Sequence, residues 1–186
     1  MNTCRDPLWA EKNCFVDHYI YLSKTSKLKV GITKYTQIPY RWIAQGAVQA
    51  LPFIKVKSRY QAGLVECIMK NYISDKTNRK KMLFSEIDNS KILDKRHILL
   101  KKLLNKINFM NKELNSNIEI LKPIKPFLIS YPVKKNPKEI KSVNFGYNNK
   151  KYEDILVGIK GQYLIFNKGV INMSKILGYK FVIQIS

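Results

Sequence analysis

Four residues in the first half of the chain have side chains that could act together on a phosphate ester: Tyr21, Lys29, Arg41 and Glu66. Arginine presents a planar fork that matches phosphate oxygens, and lysine offers a point charge. Phosphodiester hydrolysis also needs a group that handles the attacking water and a metal that offsets charge on the leaving oxygen. Each residue also has an ordinary structural alternative, such as a core tyrosine or a plain Arg41–Glu66 salt bridge.

The charge of the chain favours a polyanionic partner. Its 186 residues include 34 Lys and Arg against 13 Asp and Glu, which gives a net charge of +21. This excess is typical of proteins that bind DNA or RNA. The alternative is compositional drift, because Lys, Ile and Asn together are what an AT-rich genome accumulates. Arginine is scarce and therefore more informative; the five arginines are Arg5, Arg41, Arg59, Arg79 and Arg96.

The composition argues for a folded chain and against a membrane protein. Hydrophobic residues make up 45% of the sequence, enough for a packed core. No apolar run approaches the roughly 18 residues of a membrane span, and the first residues lack the apolar segment of a signal peptide. We therefore expect no membrane partner and a cytoplasmic location, with the three cysteines reduced.

The first part of the chain alternates strand and helix patterns. Residues 17–23 and 28–33 are rich in β-branched and aromatic residues and flank a polar turn, so they predict a hairpin. A short helix opened by proline is predicted over 39–45, and a third strand over 53–57. Apolar residues at helical spacing predict another helix over 59–73.

The rest of the chain predicts one long helix and a β-rich tail. Leu93, Leu100 and Ile107 recur every seven residues within 90–115, which indicates an amphipathic helix, either a strut between lobes or an interface. Prolines in 122–126 suggest a linker, and the short strands after it suggest a small barrel or half-barrel. The expected class is α+β, with an α/β domain at 1–85, a connecting helix at 86–120 and a β-rich domain at 121–186.

The hairpin and the residues that follow it resemble the GIY-YIG nuclease superfamily. The matching features are Tyr19-Ile20-Tyr21, then Lys29-Val30-Gly31, then Arg41 and Glu66 on successive helices. The chain is more closely similar to an uncharacterised bacterial family with a divergent domain of this kind. The stretches that carry this similarity are 28–33, 37–39, 41–42, 45–47, 62–66, 74–78 and 156–165.

The resemblance implies a GIY-YIG-like first lobe and a role for each matching residue. Tyr21 would activate or orient the water, Arg41 would clamp the phosphate, and Glu66 would hold Mg²⁺ as its one carboxylate. Phosphate-binding roles would fall to Lys29, Gly31, Thr33 and Asn78. Lys29 departs from the superfamily, where active nucleases commonly have tyrosine, so one activating phenol is missing.

The cysteines predict no zinc centre. Members of the bacterial family often begin with additional cysteine pairs, but here only Cys4, Cys14 and His18 lie near the start. A structural zinc site usually needs four ligands in close pairs, and no such pair is present. Cys67, beside Glu66 on a predicted helix, is expected to be a buried small hydrophobic residue.

Three functions remain open from the sequence. The first is a metal-dependent phosphodiesterase or endonuclease of GIY-YIG type. The second is a nucleic-acid-binding module without catalysis, which Lys29 favours. The third is a structural or partner-binding protein whose charge is drift alone, with the stripe on the long helix as its interface.

Overall fold

The structure is a computed structural model that describes residues 5–83, 91–134, 141–143 and 151–184. Its helices are α1 (Pro7–Asn13), α2 (Tyr40–Ala44), α3 (Arg59–Met69), α4 (Arg79–Leu83) and α5 (Ile92–Leu114). Its strands are β1 (His18–Lys24), β2 (Leu28–Lys34), β3 (Gln49–Val56), β4 (Glu119–Ile120), β5 (Phe127–Leu128), β6 (Leu156–Lys160), β7 (Tyr163–Phe166) and β8 (Val170–Asn172). The class is mixed α+β, as predicted. The chain forms two compact units, Met1–Ile129 and Ser130–Ser186.

The first unit is built on an antiparallel sheet with the strand order β2-β1-β3-β4, in which β5 also pairs with β3. The predicted hairpin is confirmed, because β1 and β2 pair along their whole length. Its register places Tyr21 opposite Gly31 and Ile20 opposite Ile32. Successive residues of a strand point to opposite faces. The tyrosines and the isoleucines therefore lie on different sides of the sheet.

One face of this sheet forms the main hydrophobic core. Ile20, Leu22 and Val30 are buried there with side chains from α3 and α5. On α5, Leu99 and Leu103 are buried in the same cluster, but Leu93 is 42% exposed. A straight helix repeats every 3.6 residues, so a seven-residue stripe drifts off the buried face. The long helix therefore packs on the sheet of the first unit.

The second unit contains a three-stranded antiparallel sheet with the order β6-β7-β8. The expected small barrel is wrong, since the described residues of this unit form no closed barrel. Three short strands cannot close on themselves at the tilt that a barrel requires. Gly158 allows close packing here, because a methyl group on it would lie 3.0 Å from the Cα of Val133.

The segment 122–126, which its prolines predict to be a linker, lies within the first unit. Residues 122–126 lie between β4 and β5, and both strands pair with β3. The segment therefore belongs to the first unit, and the division between units falls after Ile129. The predicted boundary at residue 85 lies in 84–90, outside the described residues.

None of the helices in the described residues combines the length and apolarity needed to span a bilayer.

Candidate functional site

Tyr21 and Gly31 form the centre of the site face of the main sheet, opposite the hydrophobic core. They are direct cross-strand partners. A methyl group on Gly31 would lie 2.6 Å from both the Cζ and the hydroxyl oxygen of Tyr21. Gly31 therefore leaves the space that the Tyr21 ring occupies. The remaining cross-strand pairs of β1 and β2 on this face are Tyr19 with Thr33 and Ser23 with Lys29.

Tyr21 is fully buried under α2. Its ring meets Trp42 edge to face, with 5.7 Å between the centroids. Its hydroxyl donates a hydrogen bond to Oε1 of Gln45 at 3.1 Å. Burial raises the pKa of Tyr21, the Arg41 charge opposes this shift, and the Glu66 charge adds to it. The phenol is therefore a poor base near neutral pH, although it can still position a group through its oxygen.

Lys29 is a charged residue that the fold buries on the same face, with 6% of its surface exposed. Burial lowers the pKa of Lys29, and the positive charge of Arg41 lowers it further. Asp75 and Glu66 act in the opposite direction. Arg41, Glu66 and Asp75 are thus close enough to interact with this ammonium group. An anion would relieve the repulsion between Lys29 and Arg41.

Arg41 lies on α2, which begins directly after Pro39. The ring of proline fixes its φ angle and restricts the residue before it, so helices rarely extend back through it. Trp42 points into the protein and is fully buried, whereas Arg41 is exposed. Within the described residues, no carboxylate lies at ion-pair distance from Arg41. The sequence alternative of a closed Arg41–Glu66 pair is therefore not observed.

Glu66 is two-thirds of the way along α3 and belongs to a small charged chain. Its Oε2 lies 4.0 Å from Nζ of Lys70, and the same Nζ lies 2.9 Å from Oδ2 of Asp75. The Glu66 side chain is 18% exposed, so it is shielded more than an ordinary surface carboxylate. The hydrogen bond from Lys70 lowers the pKa of Asp75. Sequence analysis missed Asp75, which is offset from Glu66 by a loop and follows no helical spacing.

The structure brings four of the seven predicted residues into one electrostatic neighbourhood: Tyr21, Lys29, Arg41 and Glu66. Gly31 joins them by packing, and Thr33 lies buried on the same face with its hydroxyl donating to the carbonyl of Lys34. Asn78 has a different environment. Its Oδ1 accepts from the backbone N–H of Lys81 at the start of α4, which is a helix-capping contact.

The site residues fit an anion better than a metal ion. No group of three His, Cys, Asp or Glu side chains suited to a metal occurs in the part of the chain that the structure describes. Glu66 and Asp75 are the nearest carboxylates, and the Lys70 ammonium is close to both. Magnesium can bind through one carboxylate with water filling its other positions. The neighbouring cations Lys29, Arg41 and Lys70 would weaken the affinity of Glu66 for Mg²⁺.

The cysteines and His18 differ in burial. Cys14 is half-buried and Cys67 is exposed, so the expectation that Cys67 is buried is wrong. Helix α3 buries Ala62, Val65 and Met69, and residue 67 falls on the other side. His18 is buried with its Nδ1 2.7 Å from the carbonyl of Val16, and burial lowers its pKa. Cys4 lies outside the described residues.

Three residues of the site face were not predicted from sequence. Gln45 accepts a hydrogen bond from the Tyr21 hydroxyl. Its position directly after α2 is the sequence feature that could have indicated it. Tyr35 and Tyr40 are 65% and 70% exposed. Tyr35 lies beside Tyr19, with 5.8 Å between the ring centroids. Exposed aromatic rings of this kind are surfaces on which the bases of a single-stranded nucleic acid can stack.

A family model described as "Protein of unknown function (DUF2797)" matches residues 1–181. The chain belongs to this family. Comparison with curated proteins and with solved structures gave no match. Membership of DUF2797 agrees with the predicted similarity to an uncharacterised conserved family. The description of DUF2797 names no activity, and the relationship of this member to GIY-YIG nucleases stays a prediction.

Proposed function

We propose that the chain binds nucleic acid through its backbone phosphates at the site face of the main sheet. The observation that carries this proposal is the exposed Arg41 guanidinium, which has no carboxylate partner in the described residues and lies near the buried Lys29 ammonium. Arg41 can hold two phosphate oxygens at once, and Lys29 adds a second positive charge behind it. The net charge of +21 would draw a polyanion to the protein from solution.

The exposed tyrosines favour a nucleic acid over a simple anion. Tyr35 immediately follows β2, and Tyr40 immediately precedes Arg41 on α2. Bases of a single strand stack on such rings at about 1–3 kcal/mol per base, with little dependence on sequence. A strand with its phosphate on Arg41 would place neighbouring bases within reach of these rings. We therefore infer a preference for single-stranded DNA or RNA.

The direct test is binding of labelled oligonucleotides, single-stranded and double-stranded, followed by fluorescence anisotropy at several salt concentrations. The proposal predicts affinity that falls linearly with salt on a log–log plot, with single strands bound more tightly. The slope reports about 0.7 counterions per neutralised phosphate for single strands. Affinity that is absent or independent of salt would contradict the proposal. It would favour the alternative that the net charge results from compositional drift.

Phosphodiester cleavage is a second candidate, favoured by the position of Glu66 within electrostatic reach of Tyr21 and Lys29. In this function Arg41 and Lys29 would bind the scissile phosphate and stabilise the charge that develops on it. Because its pKa is raised, Tyr21 would orient the attacking water through its oxygen rather than take its proton. Glu66 would hold the Mg²⁺ that the resemblance implies.

Cleavage is tested by incubating the purified chain with DNA and with RNA, each with and without Mg²⁺ or Mn²⁺. The candidate predicts metal-dependent nicking that Glu66→Gln abolishes and Glu113→Gln leaves intact. Glu113 is an exposed carboxylate on α5 and serves as the matched control. Equal nicking by Glu66→Gln and the unmodified chain would overturn this candidate, since the activity would then come from another site or protein. Loss of cleavage with binding retained would support both functions.

A further inference from the structure

A cleft of about 300 Å³ lies in the first unit, apart from Arg41 and Lys29. The turn of the β1–β2 hairpin, the segment after α3 and the N-terminal half of α5 form its walls. Its floor is apolar, with Leu28 and Leu99 continuous with the main core. Ile98 lines it as well and is 46% exposed, although it is a large apolar residue. The cleft therefore offers an apolar surface to a ligand.

The rim of this cleft is positively charged. Lys27, Lys95 and Lys102 line it, and no acidic residue does. In the described part of the chain, no carboxylate pairs with any of these three lysines. Three ammonium groups with no carboxylate among them repel one another. The rim therefore has an unbalanced charge that a negatively charged ligand would neutralise.

Two lysines of α5 converge on one aromatic ring at the edge of the cleft. The ammonium groups of Lys102 and Lys106 lie 5.3 Å and 5.5 Å from the centroid of the Tyr72 ring. Lys106 also donates to the Tyr72 hydroxyl at 3.4 Å. Like charges four residues apart on a helix repel each other. Tyr72 thus holds the ammonium groups of Lys102 and Lys106 close together, and this adds to the positive charge at the edge of the cleft.

We propose that this cleft binds a small organic anion of the size and chemistry of a nucleoside monophosphate. The phosphate would contact Lys95 and Lys102, and the base would lie on Ile98 and Leu99. Inorganic phosphate alone would leave the apolar floor in water, and an uncharged apolar ligand would leave the lysines without a counterion. A volume of about 300 Å³ is at the small end of ligand pockets. The proposal does not rest on the function proposed above, because the two sites share no residue.

Isothermal titration calorimetry of the full chain with AMP, adenosine, inorganic phosphate and decanoate tests the proposal. We expect AMP to bind with one-to-one stoichiometry and about tenfold or more tighter than the other three ligands. The double variant Lys95→Ala/Lys102→Ala should weaken AMP binding by about tenfold or more, because it removes the charge-assisted contacts. The control variant Lys101→Ala/Lys112→Ala removes the same charge from exposed positions of the same helix and should bind AMP as before.

A second pair of variants, one in the cleft and one control outside it, tests the apolar floor. Ile98→Ser should weaken AMP binding, whereas Leu104→Ser, at a residue of α5 that is 44% exposed, should not. Far-ultraviolet circular dichroism of each variant verifies that helix α5 remains folded. The proposal is overturned if AMP shows no saturable binding, if phosphate or decanoate binds as tightly as AMP, or if the control variants weaken binding equally. Loss confined to the cleft variants supports it.

Discussion

The two faces of the main sheet come from alternate residues of the same strands, yet they differ in chemistry. One face contributes Ile20, Leu22 and Val30 to an apolar core beneath α3 and α5. The other carries Tyr21, Lys29 and other polar or small residues, and several of these are equally buried. A sheet needs one apolar face to fold. The first face meets that requirement, and the second contributes Tyr21 to a smaller buried cluster with Trp42, Ala47 and Ala50.

Burial on the second face has a cost that the first face does not. A buried ammonium group loses its hydration, and a buried hydroxyl without a partner loses its hydrogen bonds with water. Lys29 has a buried ammonium group. Ser23 has a buried hydroxyl, and its Oγ has no hydrogen-bond partner in the described residues. Such costs concentrate at functional sites. The comparison therefore favours the Tyr21 face as the functional one and predicts that substitutions on it cost less stability than substitutions on the apolar face.

The largest effect is expected on the apolar face. Leu22→Ala leaves a cavity among side chains that are themselves buried, so the free energy of unfolding should fall by about 2–5 kcal/mol. Urea unfolding followed by circular dichroism measures this change. A loss below about 1 kcal/mol would show that this face is not the main source of stability.

Gly31→Ala tests the packing of the second face. The added methyl group would meet the Tyr21 ring at 2.6 Å, and the ring has little room to move because it packs on Trp42. We expect a loss of about 1–3 kcal/mol in the free energy of unfolding. The same substitution in a Tyr21→Ala background should cost much less, because the clash is gone. Equal costs in both backgrounds would mean that Gly31 has another role.

The pH dependence of stability tests whether Lys29 is buried as a charged group. Its pKa is lowered from the ordinary value of 10.5, so between the native pKa and 10.5 the unfolded chain binds more protons. Stability due to Lys29 therefore rises as pH increases through that window. The free energy of unfolding of the unmodified chain, minus that of Lys29→Met, should increase over this range. A decrease would contradict the burial, and Lys101→Met provides the exposed reference.

The smallest effect is expected at Ser23. Its Oγ is buried without a partner in the described residues, so Ser23→Ala removes a group that contributes no hydrogen bond there. The free energy of unfolding should stay the same or increase by up to about 1 kcal/mol. Chemical unfolding measures it. A loss above that size would show that the hydroxyl has a partner, such as an ordered water molecule.

Local patterns predicted the elements of the first unit well. The hairpin, the helix near Pro39 and the long helix were all found within a few residues of their predicted bounds. Strand β3 starts at Gln49, earlier than the predicted residue 53. The prediction began after Pro52 because proline usually interrupts a strand. Pro52 lies opposite Tyr21 where the β1–β3 register shifts, and a proline is tolerated at such an irregularity. A strand irregularity depends on its neighbour, which a single stretch of sequence does not contain.

Long-range pairing was the part that sequence patterns could not provide. The prolines of 122–126 indicated a linker, but the strands on either side of them return to β3. Arg96 looked informative as a scarce arginine, yet it is buried and donates to the carbonyl of Leu121. Its role depends on a contact with a segment 25 residues away. Tyr21, Lys29, Arg41 and Glu66 were found because their order along the chain, rather than local periodicity, carried the resemblance.

The most direct test of the phosphate site is the salt dependence of single-stranded oligonucleotide binding by Arg41→Ala, with Arg5→Ala as the control. Both variants remove one exposed guanidinium and the same charge. If Arg41 contacts a backbone phosphate, its variant should bind more weakly and lose about 0.7 from the magnitude of the log–log salt slope. Arg5→Ala should show a smaller change in both. An Arg41→Ala variant with the same affinity and slope as Arg5→Ala would contradict the proposed site.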